Sequence, residues 1–168
     1  MNTVILNIED EQWQKQPGFA VWKDILNTIF ENVLKKVYFG TKSFEVNLLL
    51  SNDENVRLLN KHFLNKDNST NVLSFPQFNS DAISNIDTIC NENRLLLGDI
   101  IMSYNKIIQE SKEFNFKFFD RATHLLIHSI LHLFGFDHIE LDERTKMEKL
   151  EIEILKDLGL KNPYVIEE

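Results

Sequence analysis

Residues 118–135 restrict the fold more than any other part of this chain. If they form an α-helix, apolar side chains lie on almost every side of it: Leu125, Leu126, Ile127, Ile130, Leu131, Leu133 and Phe134. A helix that is apolar all round has to be covered on all sides. We therefore predict that it is the central buried helix of the protein, with the other elements packed around it.

Three histidines lie towards the end of this helix, in the segment HSILHLFGFDH. His128 and His132 are four residues apart, so a helix places their imidazoles on one face, one turn apart. Gly135 lets the chain leave the helix through a left-handed residue, so that His138 can fold back towards them. Three neutral imidazoles with one open position are a common environment for a catalytic zinc. The spacing therefore predicts a metal site formed by His128, His132 and His138.

The alternative is that these histidines are separate polar residues satisfied within a hydrophobic core. Four of the five histidines in the chain lie between His124 and His138, in a mostly apolar segment. Each unpartnered buried imidazole would cost about 1–3 kcal/mol, whereas a shared metal compensates them together. We therefore favour a metal site. For His124, a position behind the ligands, substrate binding and simple packing stay open, and Asp137 either orients a ligand or caps a turn.

The same spacing matches the ligand frame of the metzincin proteases, H-E-x-x-H-x-x-G-x-x-H. Those enzymes use the glutamate after the first histidine as general base. Ser129 occupies that place here and cannot act as the base. Peptide hydrolysis is therefore only a minor alternative.

Composition narrows the class of protein further. The 168 residues are 43% hydrophobic and 26% charged, which fits one globular domain over residues 1–168. The single cysteine, Cys90, cannot form an intrachain disulfide and suits a reducing compartment. Because the N-terminus lacks the features of a signal peptide and no long apolar run occurs, we expect a cytoplasmic protein without membrane contact. The net charge of −8 argues against broad nucleic-acid binding, although it is compatible with a local basic groove.

The spacing of apolar residues predicts an α+β domain, with a small mixed sheet packed by several helices and the metal site at the end of the central one. Strands are predicted at 3–8, 43–51, 71–76 and 95–102. Helices are predicted at 17–39, 51–63, 103–114, 118–135 and 142–158.

Local signals refine these elements. Ser51 and Glu54 form a capping-box pattern, and Asp120 is the expected cap of the central helix. Gly98 within a strand indicates a bulge or the close approach of another group. Residues 77–93 are polar, acidic and without a clear period, so we predict a long surface loop or flap there.

Three segments together resemble one known family. HLLIHSILHLFGFDH resembles the signature H-G-x-L-H-L-x-G-[YF]-D-H of the YbeY family, the bacterial rRNA maturation endoribonucleases. NKHFLNKDNSTNVLSFP resembles that family's L-N-x-x-[YF]-R-x-K-D-x-x-T-[DN]-V-L-S-F-P, and LLLGDIIMS resembles its L-G-D-I-x-I strand. The resemblance covers roughly residues 43–158, with the three segments in the same order.

The resemblance implies an α+β fold and one zinc ion bound by the three signature histidines. It also implies cleavage of single-stranded RNA in 16S rRNA maturation and ribosome quality control, with rRNA and the small ribosomal subunit or its proteins as partners. Asn71, Ser74 and Asp99 fall in matched segments and are candidates for lining a cleft. For Asp99, orientation of a histidine ligand and a hydrogen bond at the strand end are equally open.

The chain departs from the family pattern at two positions. Leu64 stands where the family has an arginine, and leucine cannot stabilise a phosphorane. Lys66 matches the family's lysine and is the nearest cation, so it is our catalytic candidate together with His128. Ser129 replaces a glycine, a change that a helix tolerates. Leu64 and the acidic balance keep a second function open, a non-enzymatic ribosome assembly factor whose fold is stabilised by zinc.

Overall fold

A four-stranded mixed sheet forms the framework of the protein, which is seen in a computed structural model that describes residues 1–165. The strands are β1 (Thr3–Ile8), β2 (Ser43–Ser51), β3 (Val72–Pro76) and β4 (Arg94–Ser103). Their order across the sheet is β1-β2-β4-β3. β1 and β4 run parallel to β2, and β3 runs antiparallel to β4. The predicted small mixed sheet is therefore confirmed.

Nine helices surround the sheet within residues 1–165. They are α1 (Gln12–Lys15), α2 (Phe19–Asp24), α3 (Leu26–Val37), α4 (Asp53–Leu64), α5 (Ser80–Ser84), α6 (Ile86–Ile89), α7 (Tyr104–Glu113), α8 (Phe118–Leu133) and α9 (Leu141–Asp157). This arrangement confirms the α+β class. None of these helices in the described part of the chain is both long and apolar enough to cross a membrane.

α8 is the central buried helix that the sequence predicts. Eleven of its 16 residues are buried, and α3, α7, α9 and the sheet all pack against it. Complete burial of a leucine or isoleucine side chain contributes about 1.5–3 kcal/mol. Dense packing on all sides therefore makes α8 a rigid support for its histidines. Its N-cap is Lys117, and Asp120 lies in the first turn, so the predicted cap at Asp120 is wrong.

Gly98 allows two elements to approach closely beside α8. β4 has a register shift at this point, so the predicted bulge is present. A Cβ atom on Gly98 would lie 2.5 Å from the carbonyl oxygen of Phe75 and 2.8 Å from a methyl group of Leu133. The absence of a side chain thus lets the end of α8 and strand β3 pack against the same point of β4.

The helix predicted at 17–39 is interrupted in the structure. Gly18 is left-handed (φ 92°) and precedes α2, and Ile25 (φ −100°, ψ 3°) separates α2 from α3. Both helices pack against the core, and from α2 the Trp22 indole donates to the Thr123 hydroxyl of α8 at 3.0 Å. Apolar spacing continues through the break because both helices bury one face. The sequence pattern therefore does not reveal it.

The predicted capping box at Ser51 and Glu54 is also wrong. Asn52 caps α4, since its side-chain oxygen accepts from the Asn55 amide at 3.0 Å. Ser51 is instead the buried last residue of β2, and its hydroxyl donates to Glu9 at 2.7 Å. Because β2 keeps Ser51 inside the protein, Asn52 is the residue that lies at the start of α4.

Residues 77–93 are more ordered than the predicted surface loop or flap. They contain α5 and α6, and Asn79 caps α5 by accepting from the Ala82 amide at 2.8 Å. Ile83 and Ile86 are only 7% and 2% exposed and join the main core. Two isoleucines in a polar segment are too few to produce a recognisable period, so this docking depends on the tertiary structure.

Candidate metal centre

The end of α8 and the turn after it bring the three predicted ligands together. The Nε2 atoms of His128 and His132 are 3.0 Å apart, one helical turn from each other. Beyond α8, Gly135 adopts a left-handed conformation (φ 90°) that turns the chain back. The His138 ring then stacks on that of His128, with 5.4 Å between centroids. One nitrogen from each histidine lies within 4.8 Å of the others, an arrangement that could hold a metal ion.

The hydrogen bonds of two ligands direct their lone pairs towards one point. His132 Nδ1 lies 2.8 Å from the Phe136 carbonyl oxygen, and His128 Nδ1 lies 2.7 Å from Glu151 Oε1. Carbonyl and carboxylate oxygens only accept, so both Nδ1 atoms carry the hydrogen. In the neutral imidazoles, the two facing Nε2 atoms are then both unprotonated and repel each other. A cation between them removes this repulsion, so the donor set fits a metal ion.

The surroundings of His132 favour the form of histidine that binds metals. Burial lowers the pKa of His132 to about 4, and the neighbouring His128 and His138 lower it in the same direction. His132 is therefore neutral at pH 7. Since only a neutral imidazole has a free lone pair for a metal, the site does not have to lose a proton there.

Glu151 on α9 belongs to the site, although it was not among the residues predicted from the sequence. Its side chain is completely buried, at 0% exposure. Oε1 accepts from His128, and the Tyr164 hydroxyl donates to Oε2 at 2.5 Å. Burial raises the pKa of Glu151, but hydrogen bonds from His124 and His128 outweigh that effect and lower it to about 2. The carboxyl group is therefore ionised behind His128, a candidate metal ligand.

One sequence signal could have revealed Glu151. It shares a face of α9 with Met147 and Ile154, both of which are buried in the core. A glutamate on the apolar face of an amphipathic helix needs a buried partner. That signal indicates a polar contact inside the protein but not which residue supplies it.

His124 lies behind the ligands and not among them. It is buried, and Arg121 donates to its Nδ1 at 3.1 Å. Its Nε2 faces the Tyr164 hydroxyl at 3.2 Å and Glu151 Oε1 at 3.4 Å. His124 thus contacts the group that holds His128, which agrees with the first of its three predicted roles.

Asp137 forms a local turn contact. Its carboxylate accepts from the His138 backbone amide at 2.7 Å. This contact is the turn cap that was one of the two roles predicted for Asp137, and it stabilises the backbone that carries His138.

The remaining candidate residues are spread over other parts of the structure. Asn71 donates to Glu110 at 2.8 Å, and Ser74 is half-buried on β3, paired with Ile100 of β4. Asp99 accepts from Asn47 at 2.8 Å. That bond runs between neighbouring strands, so it corresponds to neither of the two predicted roles.

Asp99 lines a cleft on the sheet face opposite the main core. The cleft has a volume of about 390 Å³, and Asn47, Phe63 and Phe75 also line it. Lys66 is exposed in the turn after α4, where its backbone amide donates to the Asn60 carbonyl at 3.2 Å.

The fold and the three-histidine cluster define an α+β protein with a candidate metal centre at the end of its central helix. The family model described as Endoribonuclease YbeY matches residues 7–159. Endoribonuclease YbeY of Rhizorhabdus wittichii is 43% identical over 156 residues, covering 93% of this chain and 89% of the relative. That of Agrobacterium fabrum is 34% identical over 166 residues, covering 97% and 95%. The chain therefore belongs to the YbeY endoribonuclease family, which confirms the resemblance found in its sequence.

A solved structure supports the fold independently of the family assignment. The solution structure of TM1509 from Thermotoga maritima superimposes with a TM-score of 0.57 at 22% identity. The match covers 93% of this chain and 91% of the other. At this level of identity the similarity concerns the fold alone.

Proposed function

We propose that this protein is a zinc-dependent endoribonuclease that cleaves single-stranded RNA. We further propose that it acts in the cytoplasm, on rRNA of the small ribosomal subunit, in 16S rRNA maturation and ribosome quality control. The observation that carries the proposal is the convergence of His128, His132 and His138 on one point, with the first two Nδ1 atoms held by acceptors. Membership of a family named for endoribonuclease activity supports the reaction.

The donor set suits zinc in number and kind. Catalytic zinc sites commonly use three protein ligands, and imidazole nitrogens bind the ion at about 2.0–2.1 Å, which puts neighbouring ligands about 3.3 Å apart. His138 lies on an exposed turn, so it can move inward from the observed separation of up to 4.8 Å. When bound, zinc supplies a Lewis acid and lowers the pKa of a water molecule to about 7.

The chain itself supplies the orientation of the ligands and a positive charge for the substrate. Negative charge develops on a phosphodiester during cleavage and requires stabilisation. Leu64, at the family's arginine position, is 48% exposed and contributes no charge. We therefore assign the stabilising charge to Lys66, two residues further on. In this proposal, Asn71, Ser74 and Asp99 belong to the surface over which the RNA is bound.

Non-enzymatic ribosome assembly is the second candidate function. The observation in its favour is Leu64, because loss of the family's arginine removes a cation from the expected site of phosphate contact. Peptide hydrolysis loses support for a structural reason. Ser129 is completely buried, so its hydroxyl cannot take the place of a general base on the open side of the metal centre.

Incubation of the zinc-loaded protein with matched single-stranded and double-stranded RNA oligonucleotides tests the proposal. We expect cleavage of the single strand, and loss of both zinc and cleavage in the His128→Ala variant. His62→Ala is the matched control, since His62 is an exposed histidine outside the cluster. Zinc binding by the wild type without cleavage of either RNA would contradict the enzymatic proposal and favour an assembly role.

A further inference from the structure

A buried carboxylate lies directly behind the metal centre. Glu151 receives hydrogen bonds at both oxygens, from His128 Nδ1 at 2.7 Å and from the Tyr164 hydroxyl at 2.5 Å. Burying an ionised carboxylate is costly unless donors and an opposite charge compensate it. The two hydrogen bonds supply the donors, and a positive charge near Glu151 is needed as well.

The basic groups in contact with Glu151 are imidazoles. Within residues 1–165 its ion-pair contacts are with His124 and His128 alone. Arg121 donates to His124 Nδ1, so the hydrogen on Nε2 is the one directed at Glu151 and Tyr164. His128 lies between Glu151 and the point shared by the three histidines, so a cation bound there would place a further positive charge across the ring from the carboxylate.

The C-terminal segment completes this arrangement. After α9 the chain turns back, with the Tyr164 amide donating to Asn162 Oδ1 at 2.8 Å. The Tyr164 ring packs edge-on against His124, with 5.5 Å between centroids, and its hydroxyl points at Glu151. Burial and the nearby carboxylate raise the pKa of Tyr164, so the hydroxyl keeps the proton that it donates.

We propose, building on the metal site of the proposed function, that Glu151 is a positioning residue that increases the metal affinity of His128, and that Tyr164 holds Glu151 in place. The carboxylate fixes the ring orientation and the tautomer of His128. Its negative charge also increases the electron density on Nε2, the atom directed at the metal. The segment around Tyr164 is thus a functional part of the metal centre, although it supplies no ligand.

The zinc affinity of the full chain tests this proposal, measured by competition with a chromophoric chelator at pH 7. Glu151→Gln keeps the size of the side chain and a hydrogen-bond acceptor but removes the charge. We expect it to weaken zinc binding by about 10–100-fold. Tyr164→Phe removes one hydrogen bond to a charged group and should weaken binding by about tenfold. Glu143→Gln, an identical change at an exposed position on α9, should leave the affinity unchanged.

A second readout separates positioning from general stability. Nitrogen-15 NMR of the histidine rings reports the tautomer of His128, which we expect to be protonated at Nδ1 in the wild type and mixed in Glu151→Gln. Thermal unfolding of the metal-free proteins shows whether each variant is folded. If Glu151→Gln does not fold, Tyr164→Phe decides the question, since Tyr164 is 43% exposed and its loss leaves the core intact.

The outcomes distinguish this inference from the proposed function. Wild-type affinity in folded Glu151→Gln or Tyr164→Phe would overturn the role of Glu151 and leave the endoribonuclease proposal standing. Weakened affinity in both variants supports the inference even if the zinc-loaded wild type cleaves no RNA, a result that contradicts only the proposed activity. A wild type that binds no zinc overturns both.

Discussion

Gly135→Ala should weaken the metal centre by disturbing the turn that carries His138. Gly135 has a φ of 90°, and a Cβ atom there would lie 3.0 Å from the Ser80 hydroxyl oxygen. An L-residue in a left-handed conformation costs about 1–2 kcal/mol. The Ser80 hydroxyl can rotate away, but Ser80 Cβ and Cα would lie 3.3 and 3.4 Å from the added atom and cannot, so the backbone cost is a lower bound on the total.

This free energy can appear in two measurements. If the turn stays in place, urea unfolding of the metal-free protein shows a stability loss of about 1–2 kcal/mol. If the turn relaxes instead, stability is preserved but His138 moves, and zinc binds about 5–30-fold more weakly for the same free energy. We therefore predict that the loss of unfolding free energy, from urea titrations, and the loss of zinc-binding free energy, from chelator competition, together equal the cost of the substitution.

Gly18→Ala provides a matched control. Gly18 is also left-handed, at φ 92°, but its added Cβ would make only an ordinary 3.4 Å contact with the Phe119 ring, and it precedes α2, far from His138 in sequence. We expect a similar backbone cost without loss of zinc affinity. Equal loss of zinc affinity in both variants, or no change of any kind in Gly135→Ala, would refute the argument from the turn.

Two further predictions concern charge at the site. The metal-free protein should lose stability as the pH falls from about 6.5 to about 4. The reason is that His132 takes up a proton near pH 6.5 in the unfolded chain but only near pH 4 in the folded protein. Urea unfolding across this range measures how the free energy of unfolding depends on pH, and this dependence should be smaller in His132→Asn. Lys66→Ala should reduce RNA cleavage at least about tenfold while zinc content is unchanged, and wild-type turnover in that variant would remove Lys66 from the mechanism.

Local regularities explain why much of the site is predictable from the sequence. His128 and His132 are four residues apart on a strongly apolar helix, and an α-helix always brings such residues to one face. Gly135 is the residue type that most easily adopts the left-handed turn that returns His138. The four strands follow in the same way from their apolar spacing.

Features that depend on packing between distant segments were not predictable. Helix α4 is capped by Asn52 and not by the predicted Ser51, because strand β2 keeps Ser51 inside the protein. Ile83 docks although it lies in a polar segment. In both cases, contacts distant in the chain overrode a local preference. The helix at 17–39 divides at Ile25 although its apolar spacing continues through the break.

The sequence by itself determined the three candidate ligands, because their convergence is a property of one helix and one turn. The environment behind them was decided by tertiary structure alone. Glu151 reaches His128 across a helix–helix interface 23 positions away in the chain, and Tyr164 reaches Glu151 only after α9 has ended. Side chains on separate elements meet according to how those elements pack, and no local spacing encodes that geometry.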